Sequence, residues 1–283
     1  MVISIRAPGT VLLLLLVASP ARAAWQRGVV VKGKVDGVPG VGKINVFLPA
    51  GYSADARPFR LLLALHGWRG RGSDWERNSP LAHYASRHRY VIVAPHMKTT
   101  VYERRYYPET SPRHRWGAIP GGRWLGEVVL PRVRARYNVR RDRGGTGVFG
   151  LSTGGRGAAL LAQYYPKQFG GFAALSGDYD ITLMPKDRTV TYIYGSFARF
   201  PERWRRDNSR TLLERLRGVP ALLIHGRRDR VCPVAQTRLF ARDMRRKGYD
   251  VTFIEDPNLG HGWKLWAGYL GAVFDFFDRK LKR

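Results

Sequence analysis

The sequence predicts an α/β fold: a single domain with a mostly parallel central sheet and helices on both faces. Three observations carry this. Short runs of branched apolar residues alternate with helix-length segments along the whole chain. Several of those runs are continuously apolar, as in strands covered on both faces. No internal repeat, low-complexity tract or linker divides the 283 residues, a length that α/β folds often fill as one domain.

The elements follow in order. Ile44 to Leu48 reads as an early strand and Leu61 to Leu65 as a fully buried one. Pro80 to Arg87 reads as a helix behind Ser79, an N-cap residue. Tyr90 to Ala94 is a strand ended by Pro95. Trp124 to Tyr137 has helical apolar spacing, with Pro131 expected to kink it. Gly147 to Phe149 is a strand, and Thr153 to Tyr165 is a helix carrying Ala158, Ala159, Leu161 and Ala162. Phe172 to Leu175 is a strand, and Val190 to Tyr194 fits either a strand or part of a cap. Ala221 to Ile224 and Val251 to Ile254 are strands, each followed by a helix, Ala235 to Lys247 and Trp263 to Leu281.

The N-terminus reads differently. Arg6 precedes an unbroken apolar run, Val11 to Val17, and Ala21-Arg22-Ala23 fits a small-x-small cleavage pattern before Ala24. That is the pattern of a secretory signal peptide over residues 1–23, which predicts a secreted or periplasmic domain over residues 24–283. The apolar run is far short of about 20 residues, and no later segment has that length, so no transmembrane segment is expected. One cysteine excludes an internal disulfide framework and Cys-based metal sites. Cys232 reads as a buried small hydrophobe. The sequence calls for no metal and no organic cofactor. With 49 basic and 21 acidic residues the formal net charge is +28, spread along the chain. It reads as an arginine-rich solvated surface, the other reading being a hold on anionic surfaces or polymers. No specific nucleic-acid motif accompanies it.

The chemistry is expected at strand ends. Gly150-Leu151-Ser152-Thr153-Gly154 matches G-x-S-x-G between a strand and a helix. Such a turn lifts the serine above the sheet and aims the helix N-terminus at a developing oxyanion. The run Leu61 to Leu65 ends in His66-Gly67-Trp68, so the backbone N–H groups of Thr153 and Trp68 are the expected oxyanion donors. A serine nucleophile needs a base and the base an orienting carboxylate. In α/β-hydrolases the order is Ser, acid, His, and Ser152, Asp229 and His261 fit it at strand ends. Asp178 is the alternative acid. Asp256 reads as a loop cap, and His66 and His225 as structural hydrogen-bonding residues.

With those residues in place the sequence resembles the "Putative esterase" family of α/β-hydrolases. That family includes esterase D, the S-formylglutathione hydrolases, feruloyl and acetylxylan esterases and the mycobacterial mycolyltransferases. The likeness runs through Trp124 to Arg143, Gly150 to Gly155 and Phe169 to Gly177. It extends to Pro49-x-Gly51-Tyr52, His66-Gly67, Gly195 with Trp204, Gly226-x-x-Asp229, and Gly260-His261-x-Trp263 with Trp266. It implies an α/β-hydrolase fold and a serine–acid–histidine mechanism, with the nucleophile on Ser152, the acid on Asp229 and the histidine on His261. Two departures stand out: Thr153 where the family commonly has Met, and the basic Trp68-Arg69-Gly70-Arg71-Gly72. The expected activity is hydrolysis of small-molecule or carbohydrate-linked carboxylic esters through an acyl-enzyme. Transfer to a sugar or lipid alcohol, or a catalytically silent protein binding acidic polymers, are the alternatives.

Two segments are candidates for the pocket walls. Lys98 to Gly122 interleaves Tyr102, Tyr106, Tyr107 and Trp116 with Arg104, Arg105, Arg113 and Arg115. Asp180 to Arg217 mixes Tyr192, Tyr194, Phe197, Phe200 and Trp204 with arginines. Either the aromatics and arginines face a substrate, or the aromatics pack the loops and the arginines face water.

Overall fold

In the computed structural model the described residues are 22–110 and 119–282. The predicted leader, residues 1–23, lies almost wholly outside them. Among the described residues eight strands form one sheet: β1 (Ala24–Val35), β2 (Val38–Leu48), β3 (Arg60–Leu65), β4 (Tyr90–His96), β5 (Thr146–Leu151), β6 (Gly171–Leu175), β7 (Ala221–Gly226) and β8 (Val251–Asp256). Their order is β1-β2-β4-β3-β5-β6-β7-β8. β1 with β2 and β2 with β4 are antiparallel, and every other pair is parallel.

The helices of the described residues connect and cover the strands: α1 (Ser73–Asn78), α2 (Leu81–Arg87), α3 (Gly121–Arg123), α4 (Leu130–Arg136), α5 (Thr153–Tyr164), α6 (Arg188–Tyr194), α7 (Pro201–Arg206), α8 (Val234–Arg246), α9 (Trp263–Gly268) and α10 (Leu270–Lys280). The continuous apolar runs are the strands buried on both faces. β3 sends Leu61, Leu63 and Leu65 into one core with Val129, Ala158 and Phe240. Leu62 and Ala64 enter the other, with Trp75, Phe274 and Phe277. Each such leucine, fully buried, contributes about 2 kcal/mol of transfer free energy.

Several expectations need correction. The strand expected at Ile44 belongs to a long β1–β2 hairpin whose first arm the sequence reading passed over. Its loop is Asp36-Gly37, with φ of 50° and 78°, the two positive dihedrals a type I′ turn requires. Pro95 does not end β4, which runs to His96 with Pro95 opposite Ile44. Pro131 sits inside an unbroken helical run, Gly121 to Arg136, and the irregularity it was expected to bring is a π-helical stretch just ahead of it, Trp124–Val129. Val190 to Tyr194 is helical, in α6, capped by Asp187, whose side chain accepts from the Val190 N–H at 2.8 Å. The closing helix is two, α9 and α10, meeting at Tyr269. Helices α1 and α7 are additional.

The topology fixes where chemistry can occur. From β3 the chain crosses to β4 on one side, then returns to β5 on the other. The sheet order therefore reverses between β3 and β5, and the crevice at their carboxyl ends is the switch point. Leu65 and Gly150 are partners there, so His66-Gly67-Trp68 and Ser152-Thr153 emerge side by side.

Candidate active site

Ser152 is the sharp corner between β5 and α5. Its backbone lies at φ 55° and ψ −124°, a conformation costing a non-glycine residue roughly 1–3 kcal/mol. Hydrogen bonds hold it there: its N–H donates to the Leu175 carbonyl at 2.8 Å, and its carbonyl accepts from Gly155 and Arg156 at 2.8 and 3.1 Å. The flanking glycines answer a packing demand. A Cβ on Gly150 would stand 2.2 Å from the Gly154 carbonyl oxygen, and one on Gly154 would stand 2.5 Å from that of His66.

His261, in the loop between β8 and α9, places its Nε2 2.9 Å from Ser152 Oγ and its Nδ1 2.7 Å from Asp229 Oδ2. Asp229, after β7, has its other oxygen filled by the N–H groups of Val231 (2.9 Å) and Cys232 (2.8 Å). Burial works to raise the Asp229 carboxyl, but hydrogen bonds from His225 and His261, with the Cys232 N–H, outweigh it and hold the group well below the usual carboxylate range. An ionised acceptor facing Nδ1 fixes the proton on that nitrogen and leaves Nε2 free to accept from the serine hydroxyl. Asp178 is elsewhere: it follows β6, with Oδ2 3.6 Å from the buried Arg156 guanidinium. Burial pushes its carboxyl up. Asp256 caps its loop, accepting from the Asn258 and Leu259 N–H groups, both at 2.8 Å.

The His66 loop packs against the serine. A Cβ on Gly67 would lie 3.3 Å from Ser152 Cβ. The Gly67 carbonyl accepts from Gly70 N–H at 3.0 Å and faces His66 Nδ1 at 2.6 Å, while His66 Nε2 accepts from the Met97 N–H at 3.0 Å. The imidazole is therefore neutral with its proton on Nδ1. In a trans peptide the C=O and N–H point oppositely, so the pinned Gly67 carbonyl turns the Trp68 N–H the other way, and Trp68 lines the cavity. The Thr153 N–H is the first of α5, ahead of any intrahelical acceptor.

Burial drives the fully buried His66 down to about 4 from 6.5. Its folded pKa lies below its unfolded one, so protons favour unfolding, and the contribution of this residue to stability falls as pH drops from about 6.5 to 4 and levels below. The loss is on the order of 3 kcal/mol. Thermal melts across that window are expected to show the decline, and His66→Gln to flatten it.

A cavity of about 380 Å³ opens over Ser152 and His261. Its walls include Trp68, Trp263, Trp266, Met184 and Val190, and among the described residues the charged side chains lining it are Asp74, Asp178 and Asp187, with no lysine or arginine. The aromatics of the two long segments pack the loops. Tyr102 is fully buried and donates to the His66 carbonyl at 2.8 Å; Tyr194 and Trp204 are buried as well. Arg203 lies over the rings of Tyr107 and Phe200, at 4.3 and 3.8 Å. Arg113, Arg115 and Trp116 are outside the described residues. The second segment does form a wall, through Met184, Asp187 and Val190. The sequence offered no sign of these three beyond their place in that segment. Cys232 is buried, as read, and burial pushes its thiol well up.

An acetyl esterase of Caldicellulosiruptor saccharolyticus is 24% identical over 238 residues, 80% of this chain and 85% of that protein. The fold matches the fluorophosphonate-binding serine hydrolase FphF of Staphylococcus aureus, with a TM-score of 0.73 and 16% identity over 91% of this chain and 99% of that one. An S-formylglutathione hydrolase of Agrobacterium tumefaciens superposes with a TM-score of 0.72 and 15% identity, covering 93% of this chain and 100% of its own. Residues 40–270 match the family described as "Putative esterase": the chain belongs to that family and is an esterase, a carboxylic ester hydrolase on the α/β-hydrolase fold.

Proposed function

We propose that the protein hydrolyses esters of short acyl groups through a Ser152–His261–Asp229 triad and an acyl-enzyme. The observation that carries the reading is the unbroken hydrogen-bonded line from Ser152 Oγ through His261 to Asp229. In this reading His261 Nε2 takes the serine proton as Oγ attacks the ester carbonyl. Asp229 steadies the imidazolium that forms. The Thr153 and Trp68 N–H groups receive the oxyanion. His261 then protonates the departing alcohol, and water, activated by the same imidazole, releases the acid.

The cavity of about 380 Å³ is at the small end of ligand pockets, about 300–1,000 Å³. Its acidic lining disfavours carboxylate-bearing substrates, whatever the charge of the outer surface. The similar protein from Caldicellulosiruptor is an acetyl esterase, which supports the short acyl group. The apolar run and small-x-small site ahead of Ala24 support export. The test is p-nitrophenyl ester hydrolysis across acetate, butyrate, octanoate and ferulate. Acetate and butyrate are expected to exceed octanoate in kcat/KM by at least about tenfold, a 1.4 kcal/mol cost of misfit. Equal rates from acetate to octanoate would refute the small pocket. No turnover, and no labelling of folded protein by a fluorophosphonate, would refute the triad.

A further inference from the structure

Asp229 Oδ2 serves two histidines. Beside His261 Nδ1 at 2.7 Å, the Nε2 of His225 lies 3.2 Å from the same oxygen, with both the His225 and Asp229 side chains shut off from solvent. His225 is the next-to-last residue of β7, and Asp229 stands four residues on, where the chain turns back over the strand end. The tautomer of His225 follows from its partners. Its Nε2 also lies 2.9 Å from the Cys232 carbonyl, which can only accept, so that nitrogen carries a proton and shares it between the carbonyl and Oδ2. Its Nδ1 lies 2.7 Å from Thr237 Oγ1 on α8, so the ring is held from both ends.

We propose that His225 is a positioning residue of the reaction: its Nε2–H fixes the Asp229 carboxylate and, by sharing the oxygen that faces His261, restrains how firmly that carboxylate holds a proton on His261. The inference rests on the triad reading. The groups around the shared oxygen are few. β7 and its loop supply His225, Asp229 and Cys232, the β8–α9 loop supplies His261, and α8 supplies the uncharged Thr237. Asp178 and Asp187, which line the cavity, and the buried Arg156 act on Cys232, and all remain in place in the variants below. A carboxylate with one donor fewer is more basic and steadies the imidazolium more, so His261 stays protonated to higher pH and is lost as a base there. The sign is the same whether His225 is neutral or charged, because a cation there also opposes the imidazolium.

The test is the pH profile of kcat/KM for p-nitrophenyl acetate in His225→Met and His225→Gln, with Ser152→Ala alongside and folding checked by circular dichroism. His225→Met is expected to move the acid limb up by about half to one pH unit and to lower kcat with KM little changed. Glutamine, whose amide N–H reaches where Nε2–H stood, is expected to return the limb toward that of the natural protein. Thr237→Val, which frees the far side of the ring without touching Asp229, is the second variant should methionine not fold, and a smaller shift of the same sign is expected. An acid limb that stays in place while kcat falls, or one that moves down, would overturn the proposal and leave His225 a packing residue. Undiminished activity in Ser152→Ala would instead overturn the triad on which it rests.

Discussion

Ser152→Ala is expected to lower kcat by about four to six orders of magnitude while leaving the melting curve nearly unchanged. Among the described residues the hydrogen-bond partner of His261 Nε2 is Ser152 Oγ, and its Nδ1 is committed to Asp229. The activity that remains would come from the oxyanion donors and binding alone. Stability should hold because the hydroxyl is not what keeps the corner in place. The hydrogen bonds of residue 152 to Leu175, Gly155 and Arg156 are all from the backbone, and alanine keeps them. Alanine also keeps the strain of φ 55°, whereas glycine does not. Ser152→Gly should be equally inactive, yet more stable than Ser152→Ala by about 1 kcal/mol, since glycine adopts this backbone without its steric cost. Paired melts and p-nitrophenyl acetate assays of the two variants separate the chemistry from the strain. An alanine variant with a tenth or more of the normal turnover would remove Ser152 from the reaction.

The central sheet was legible because its strands are buried on both faces: runs such as Leu61 to Leu65 leave no competing periodicity, and Gly150 to Gly154 can turn only where a strand meets a helix. His261 and Asp229 were legible for a related reason, each standing a few residues beyond a clear apolar strand. The N-terminal hairpin was not, because β1 is largely exposed at the sheet edge and its apolar run is only three residues long, Val29 to Val31. Its one local signal is the Asp36-Gly37 pair. Val190 to Tyr194 is β-branched and aromatic, which favours a strand, but Asp187 at the N-cap and Gly195 at φ 79° impose a helix. That the second long segment walls the pocket was legible, but which of its side chains face the cavity was not. Whether an arginine meets a substrate, a ring or water depends on how two long segments fold over one another, and Arg203 goes to Tyr107 and Phe200. The second histidine on Asp229 was hidden in the same way: His225 read as a residue with a structural hydrogen bond, and only the turn back of the Gly226–Asp229 loop brings its Nε2 to the carboxylate.

Asp229→Asn carries the second large effect, about three to four orders of magnitude in kcat, and the reason lies in how an amide must sit there. Oδ1 accepts from the Val231 and Cys232 N–H groups, so the introduced amide keeps its oxygen on that side and turns its NH2 toward the two histidines. That NH2 donates where His261 Nδ1–H donated before. The imidazole must then move its proton to Nε2, and the nitrogen facing Ser152 can no longer accept. The same NH2 confronts the His225 Nε2–H, so a cost of about 1–3 kcal/mol in stability accompanies the loss of activity. Asp178→Asn tests the competing acid. Among the described residues no hydrogen bond joins Asp178 to His261, so activity should stay within about tenfold. The buried Arg156, deprived of its charged partner, should still cost the fold about 3 kcal/mol or more. The two variants thus invert each other: one stays largely folded and loses the reaction, the other keeps the reaction and loses stability. Measuring kcat and the melting temperature of both decides between the two carboxylates. A dead Asp178→Asn beside an active Asp229→Asn would transfer the orienting role to Asp178.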